Sequence, residues 1–253
     1  MAHVLVTGSA GRIGRAVVGE LKRRGHKVRG FDLMPSPGLE DSVVGSVADR
    51  GAVDRATAGM EVMVHLAATP DDADFLTDLL PNNIVGGYHV FESARLAGVR
   101  RIVLASSGQV NWWQQKAGQI PVRPEDPPSP KYWYAAAKMF MESIGRGFAE
   151  VHGISVIIAR LGWCPRGGAH LEGIVGDSWA QDVYFSPGDA GRFFACAVEA
   201  PDSVRHLVVN AASRPKFTQP FDMTAAKEFL GYEPADSWPE GVEDELKAMG
   251  HSG

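Results

Sequence analysis

The stretch from His3 to Asp32 constrains the fold more than any other part of the chain. Val4, Leu5 and Val6 form an apolar run too short for a helix and bounded by glycine, the pattern of a buried parallel strand. Gly8, Gly11 and Gly14 then carry the chain into a helix that runs through Ala16, Val17, Val18 and Leu21 and stops at Gly25. Without side chains at those glycines, backbone N–H groups can approach a pyrophosphate, and the helix N-terminus adds its positive end. A second strand, Lys27–Phe31, delivers Asp32 eighteen residues beyond Gly14, the spacing of a carboxylate that binds an adenosine ribose. The combination predicts a doubly wound α/β sheet of the Rossmann type holding a dinucleotide. A carboxylate at Asp32 repels a 2′-phosphate, and Leu33 follows it rather than a cation, so the expected cofactor is NAD and not NADP.

The totals exclude several classes. A chain of 253 residues with 45% apolar and 22% charged side chains suits one large core. Its net charge of −5 gives no basic field for nucleic acid or an anionic membrane. No apolar run is long enough to span a bilayer, and the chain enters a strand too early for a signal peptide. Cys164 and Cys196 form no disulfide framework and no CxxC, so a reducing cytoplasm is expected. Nothing clusters as a metal site.

Further strands are predicted at Ser42–Val44, Val62–Leu66, Ile102–Ala105, Val156–Ala159 and Leu207–Val209. Asp49 is placed to start a helix over Ala52, Val53 and Ala56. Pro81 interrupts a helical pattern that resumes over Asn83–Leu96. Helices are expected from about Lys131 to His152, over Pro187–Glu199, and in two short C-terminal segments, Met223–Leu230 and Val242–Met249. Asn111–Pro130, with five prolines and two tryptophans, reads as an irregular excursion. Residues 1–160 are read as the nucleotide-binding core, and 161–253 as substrate-cap segments plus a returning strand and helices, in one domain.

Tyr134 and Lys138 lie four apart in a predicted helix and share a face, while Ser107 ends a strand at the edge where the cofactor belongs. A phenol with a pKa near 10 is a poor base at neutral pH, but an ammonium within about 4–6 Å favours the phenolate. His65 reads as a hydrogen-bonded core residue, and Cys164 lacks a base partner. Trp112, Trp113, Trp133, Trp163 and Trp179 fall in segments expected around the substrate, either as packing or as an aromatic pocket wall.

On Thr7-Gly-Ser-Ala-Gly-Arg-Ile-Gly14, His65-Leu-Ala-Ala68, Asn83-Ile-Val-Gly86, Ser106-Ser107 and Tyr134-Ala-Ala-Ala-Lys138, in that order, the sequence resembles the extended short-chain dehydrogenase/reductase family, also called the NAD-dependent epimerase/dehydratase family. It is most similar to uronate dehydrogenase-like members, through its short length, Arg160-Leu-Gly-Trp-Cys164 and Tyr184-Phe-Ser-Pro187. The resemblance implies Tyr134 as base, Lys138 as ribose anchor and pKa modifier, and Ser107 as partner of the reacting oxygen. It implies a cofactor pocket of Gly8, Gly11, Arg12, Ile13, Gly14, Asp32, Ser46, Val47, Leu66, Ala67, Ala68, Asn83, Tyr134, Lys138 and Leu161, and a homodimer formed through the Asn83 and Tyr134 helices. Asn83 is equally readable as a helix N-cap. Substrate contacts are assigned to Ser107, Gly108, Gln109, Trp163, Arg166 and Trp179.

The chain departs from uronate dehydrogenases at three places. Ser46 stands where many relatives carry an acid. Gly108-Gln109 replaces an Asn-His pair, and tryptophans stand near the expected serine and carboxylate-gripping arginine, with Arg166 as the available substitute. The reading is an NAD-dependent oxidoreductase of a secondary alcohol, carbonyl or cyclic hemiacetal, on a sugar or sugar acid. A redox-neutral sugar epimerase and a non-catalytic dinucleotide sensor remain as alternatives.

Overall fold

The computed structural model describes residues 1–251. The chain runs β1 (His3–Thr7), α1 (Arg12–Arg23), β2 (Lys27–Asp32), β3 (Ser42–Val44), α2 (Arg50–Thr57) and β4 (Val62–His65). A wide-turn helix over Phe75–Val85 passes directly into α3 (Gly86–Ala97), followed by β5 (Arg101–Ser107), α4 (Trp112–Lys116), α5 (Trp133–His152) and β6 (Ser155–Leu161). The remainder is α6 (Gly168–Ile174), α7 (Ser178–Asp182), α8 (Pro187–Glu199), β7 (His206–Ala211), α9 (Thr224–Leu230) and α10 (Glu243–Ala248).

All seven strands are parallel, in the order β3-β2-β1-β4-β5-β6-β7. The order reverses between β1 and β4, so the loops at their carboxyl ends open a crevice there. Strand alternation builds two cores. Val4, Val6, Val64, Val103, Ile157 and Val209 pack under α1, α8 and α9, through Val17, Leu21, Phe193, Phe194 and Leu230. Leu5, Met63, Ile102, Leu104 and Ile158 face the other way, onto Val53 of α2, Phe91 of α3 and Met141 of α5. A third, smaller core joins Leu171, Tyr184, Trp238 and Leu246 across the cap and the C-terminal helix. Thus β7 and α8, beyond residue 160, complete the sheet and its cover, while α6, α7 and α10 form the cap.

Three local expectations need correction. Pro81 does not interrupt a helix: it lies inside the wide-turn helix and accepts from Gly86 N, an i to i+5 bond. Asp74 caps that helix, accepting from Thr77 N at 2.9 Å, so the helix starts well before Asn83. The excursion after β5, read as irregular, contains the helix α4. This short helix is held by contacts distant in sequence, such as Trp112 packing edge to face on Trp179, which local periodicity does not register.

Candidate active site

The crevice is a cavity of about 700 Å³ running from the glycine turn to the cap. At its cofactor end, Gly8 has φ +73°, and a Cβ there would lie 2.9 Å from Ala67 N; a Cβ on Gly14 would lie 2.0 Å from Gly8 O. Side chains at these positions would collide with the backbone of the loop after β4 and of the turn itself, so glycine lets the turn close tightly at the start of α1, a backbone arrangement that fits a pyrophosphate. Asp32, at the end of β2, lines the same end and accepts from Ala10 N at 3.0 Å, which pins its carboxylate beside the turn. Thr7 Oγ1 accepts from Leu66 N and Ala67 N at 3.2 Å, tying the ends of β1 and β4 together below the cleft.

Gly8, Gly11, Arg12, Ile13, Gly14, Asp32, Ser46, Val47, Leu66, Ala67, Ala68 and Leu161 all line the cavity. Asn83 does not. It is buried beneath the loop after β4, accepting from Thr69 N at 2.8 Å and donating to Thr69 O at 3.0 Å. Both the pocket contact and the N-cap expected of it give way to a role in holding that loop. Arg12 lines the cleft while its guanidinium pairs with Glu245 of α10 at 2.5 Å, coupling the glycine turn to the C-terminal helix.

Ser107, Tyr134 and Lys138 converge on the middle of the cavity. Lys138 Nζ lies 5.6 Å from the centre of the Tyr134 ring and donates to Ala105 O at 2.9 Å. Burial pushes the Lys138 amine down to about 8, with Glu142 acting in the opposite sense. Burial also raises the Tyr134 phenol, and Asp71 raises it further, while Arg166 and the Ser107 hydroxyl lower it. The expected lowering by the lysine is therefore outweighed, because desolvation disfavours the phenolate and weakens the ammonium that should support it. Behind the three, Ser106 Oγ donates to Glu142 Oε1 at 2.5 Å, and Glu142 pairs with Arg160 at 2.8 Å. Arg160 in turn donates to Asn111 Oδ1 at 2.8 Å, fixing the excursion after β5 against the sheet.

At the substrate end, Gly108, Gln109, Trp163, Arg166 and Trp179 line the cavity together with Trp112. Trp113 and Trp133 are exposed and take no part. Trp112 and Trp179 meet edge to face, centroids 5.4 Å apart. Asp71, Asn82, Gln115, Lys131, His170 and Phe221 also line the cavity and were not anticipated. For Asp71 the signal was available, since it lies just beyond the carboxyl end of β4, where the sheet binds its ligand. Cys164 lines the wall with its thiol pushed up to about 12 by burial, and His65 donates to or accepts from Thr7 Oγ1 at 2.8 Å within the core. Among the described residues no group of three or more His, Cys, Asp and Glu is placed to hold a metal ion.

A parallel sheet with a glycine turn at its switch point and a Ser-Tyr-Lys set at the end of the neighbouring strands defines a dinucleotide-dependent oxidoreductase fold. The model of the NAD dependent epimerase/dehydratase family matches residues 4–163, and the chain belongs to that family. It is 31% identical to L-arabinose 1-dehydrogenase (NAD(P)(+)) of Haloferax volcanii, over 94% of this chain and 98% of the relative. It is 28% identical to uronate dehydrogenase of Pseudomonas syringae pv. tomato, over 93% of this chain and 82% of the relative. A mutant uronate dehydrogenase from Agrobacterium tumefaciens, solved in complex with NAD, superposes with a TM-score of 0.80 at 26% identity, covering 100% of this chain and 91% of that one.

Proposed function

We propose that the protein is an NAD-dependent dehydrogenase that oxidises a cyclic sugar at its hemiacetal carbon. The observation that carries this is the convergence of Ser107, Tyr134 and Lys138 on one cavity with the glycine cradle, in a chain whose relatives include an arabinose and a uronate dehydrogenase. Held by the glycine turn, Asp32 and Lys138, NAD would supply the two-electron oxidant that accepts a hydride from the carbinol carbon. The chain's share is the proton and the orientation. Tyr134 Oη takes the proton of the substrate hydroxyl as the C–O bond becomes C=O, so a hemiacetal gives a lactone. The Ser107 hydroxyl hydrogen-bonds the same oxygen, and Lys138 holds the ribose side and the phenolate. Asp32 favours NAD over NADP. The same reading places the protein in the cytoplasm, where its two free cysteines stay reduced, and pairs two copies through α3 and α5.

NADH absorbance across a panel of aldoses, uronates and hydroxy-ketones, with NADP in parallel, tests the reading. Net NADH with at least one sugar is expected, and Tyr134→Phe should lose about 10²–10⁴ in kcat while keeping NAD binding. A redox-neutral epimerase would turn the sugar over without accumulating NADH, and that outcome removes the dehydrogenase reading.

A further inference from the structure

The substrate end of the cavity holds a second set of charges that the proton relay does not use. Asp71, in the loop after β4, has φ +58° and is the one non-glycine residue with positive φ among the described residues. Three elements meet on its carboxylate. Arg166 of the cap loop forms an ion pair with Asp71 Oδ2. His170 Nε2 of α6 lies 3.9 Å from the same oxygen, and Gln109 Nε2, after β5, donates to Asp71 Oδ1 at 3.4 Å.

Two consequences follow for anything bound there. Arg166, the cation placed to meet a carboxylate, already has its countercharge. Lys131, a further cation in the lining beside Trp112, sits 3.6 Å from Asp72. Burial and Arg166 keep His170 below the usual imidazole range, so it adds no charge at neutral pH. The second consequence is orientation. A carboxylate only accepts, so Gln109 must offer Asp71 its NH₂. That turns Gln109 Oε1 elsewhere, and it is buried without a hydrogen-bond partner, as is Trp179 Nε1. Neither atom reaches solvent, so the group that a sugar hydroxyl meets there is the Asp71 carboxylate itself, which stays partly exposed and accepts a hydrogen bond. A uronate carboxylate at the same place has no proton to give and would face the charge of Asp71.

We infer that Asp71 is the specificity-determining residue of the site: by occupying Arg166 and presenting its own carboxylate to the cavity, it selects a neutral sugar and turns away the corresponding sugar acid. The inference rests on the sugar dehydrogenase reading above and names its substrate class.

Asp71→Asn removes the charge at nearly constant size, and asparagine is among the residues that adopt positive φ most readily. The ratio of kcat/KM for D-galacturonate to that for D-galactose, and for D-glucuronate to D-glucose, is the readout. Changes at Tyr134 affect both sugars of a pair and cancel in the ratio. Wild type should favour the neutral sugar, and Asp71→Asn should raise the ratio at least tenfold. Adding Arg166→Ala to Asp71→Asn should abolish that gain, because the freed guanidinium is what grips the acid. Tryptophan fluorescence titrations of the same sugars into NADH-loaded Tyr134→Phe protein, with and without Asp71→Asn, read binding without turnover. Wild-type preference for the uronate, or an unchanged ratio in Asp71→Asn, overturns the inference and leaves the dehydrogenase standing. No NADH from any sugar, with a tenfold tighter uronate in the titration, removes the dehydrogenase reading and leaves Asp71 in its role. Neither turnover nor a change in binding removes both.

Discussion

Tyr134 shows what a sequence spacing can and cannot deliver. The Tyr-xxx-Lys pair on one helix face, following a strand-terminal serine, brought the three side chains together on paper and does so in space. The sign of the phenol's pKa shift was not legible, because it depends on how much solvent the fold removes and on Asp71, whose approach is set by a left-handed backbone and a cap-loop arginine. With the chain's own groups holding the phenol above its ordinary value of about 10, the fraction ionised grows with pH throughout the neutral range. The log of kcat/KM for sugar oxidation should therefore climb with pH from neutrality to about 8, where Lys138 begins to lose the proton that supports the phenolate. Since Asp71 raises the phenol, Asp71→Asn should move this limb to lower pH, whereas Ser107→Ala, which removes a lowering group, should move it to higher pH. Rate profiles at saturating NAD check both shifts, and a limb that stays in place in the two variants would separate it from Tyr134.

The elements closest to the cofactor end were the easiest to read. Strand, glycine turn, helix and acid each leave a local signature, and Gly14 is required by a carbonyl only six residues back. Farther along, local signatures fail. Pro81 reads as a break, yet the wide helical turn absorbs it, and Asn83 reads as a pocket residue or a cap but is used to clamp Thr69. What anchors α5 and the excursion after β5 is likewise invisible in sequence, because Ser106, Glu142, Arg160 and Asn111 come from four separate segments. Arg160 and Glu142 are nearly buried, with side-chain exposures of 5% and 11%. Removing one partner leaves the other charge inside the protein. Glu142→Gln is expected to cost about 3–5 kcal/mol in urea unfolding, far more than an exposed pair, which contributes about 0–1. A loss below about 1 kcal/mol would mean that solvent reaches this pair. Glu142 also raises the Lys138 amine, so the variant should lower the pH at which Lys138 loses its proton.

At the scale of the molecule, the seven-stranded sheet was legible because its central strands β1, β4, β5 and β6 bury both faces and carry apolar runs, whereas the cap depends on long-range contacts that join α6 to α10. One surface is left over. Val85, Tyr88 and Leu96 recur at helical spacing along the outer side of α3 and the turn before it, and all are exposed. Trp133, Phe140 and Val151 form a matching exposed stripe on the adjacent α5. Six large apolar side chains exposed along two adjacent helices are unusual on a surface that stays in water. A two-fold axis between them would set each stripe against its counterpart, with no complementary surface required elsewhere. A stable pair needs roughly 1,200 Å² or more of buried surface, within reach of two helices per copy. Light scattering on the purified protein should therefore report twice the chain mass of 27.2 kDa. Tyr88→Glu combined with Phe140→Glu places four carboxylates in the joint and should return the single-chain mass with the fold intact by circular dichroism. A wild-type protein that already runs at the single-chain mass across micromolar concentrations would leave these stripes without a second copy to cover them.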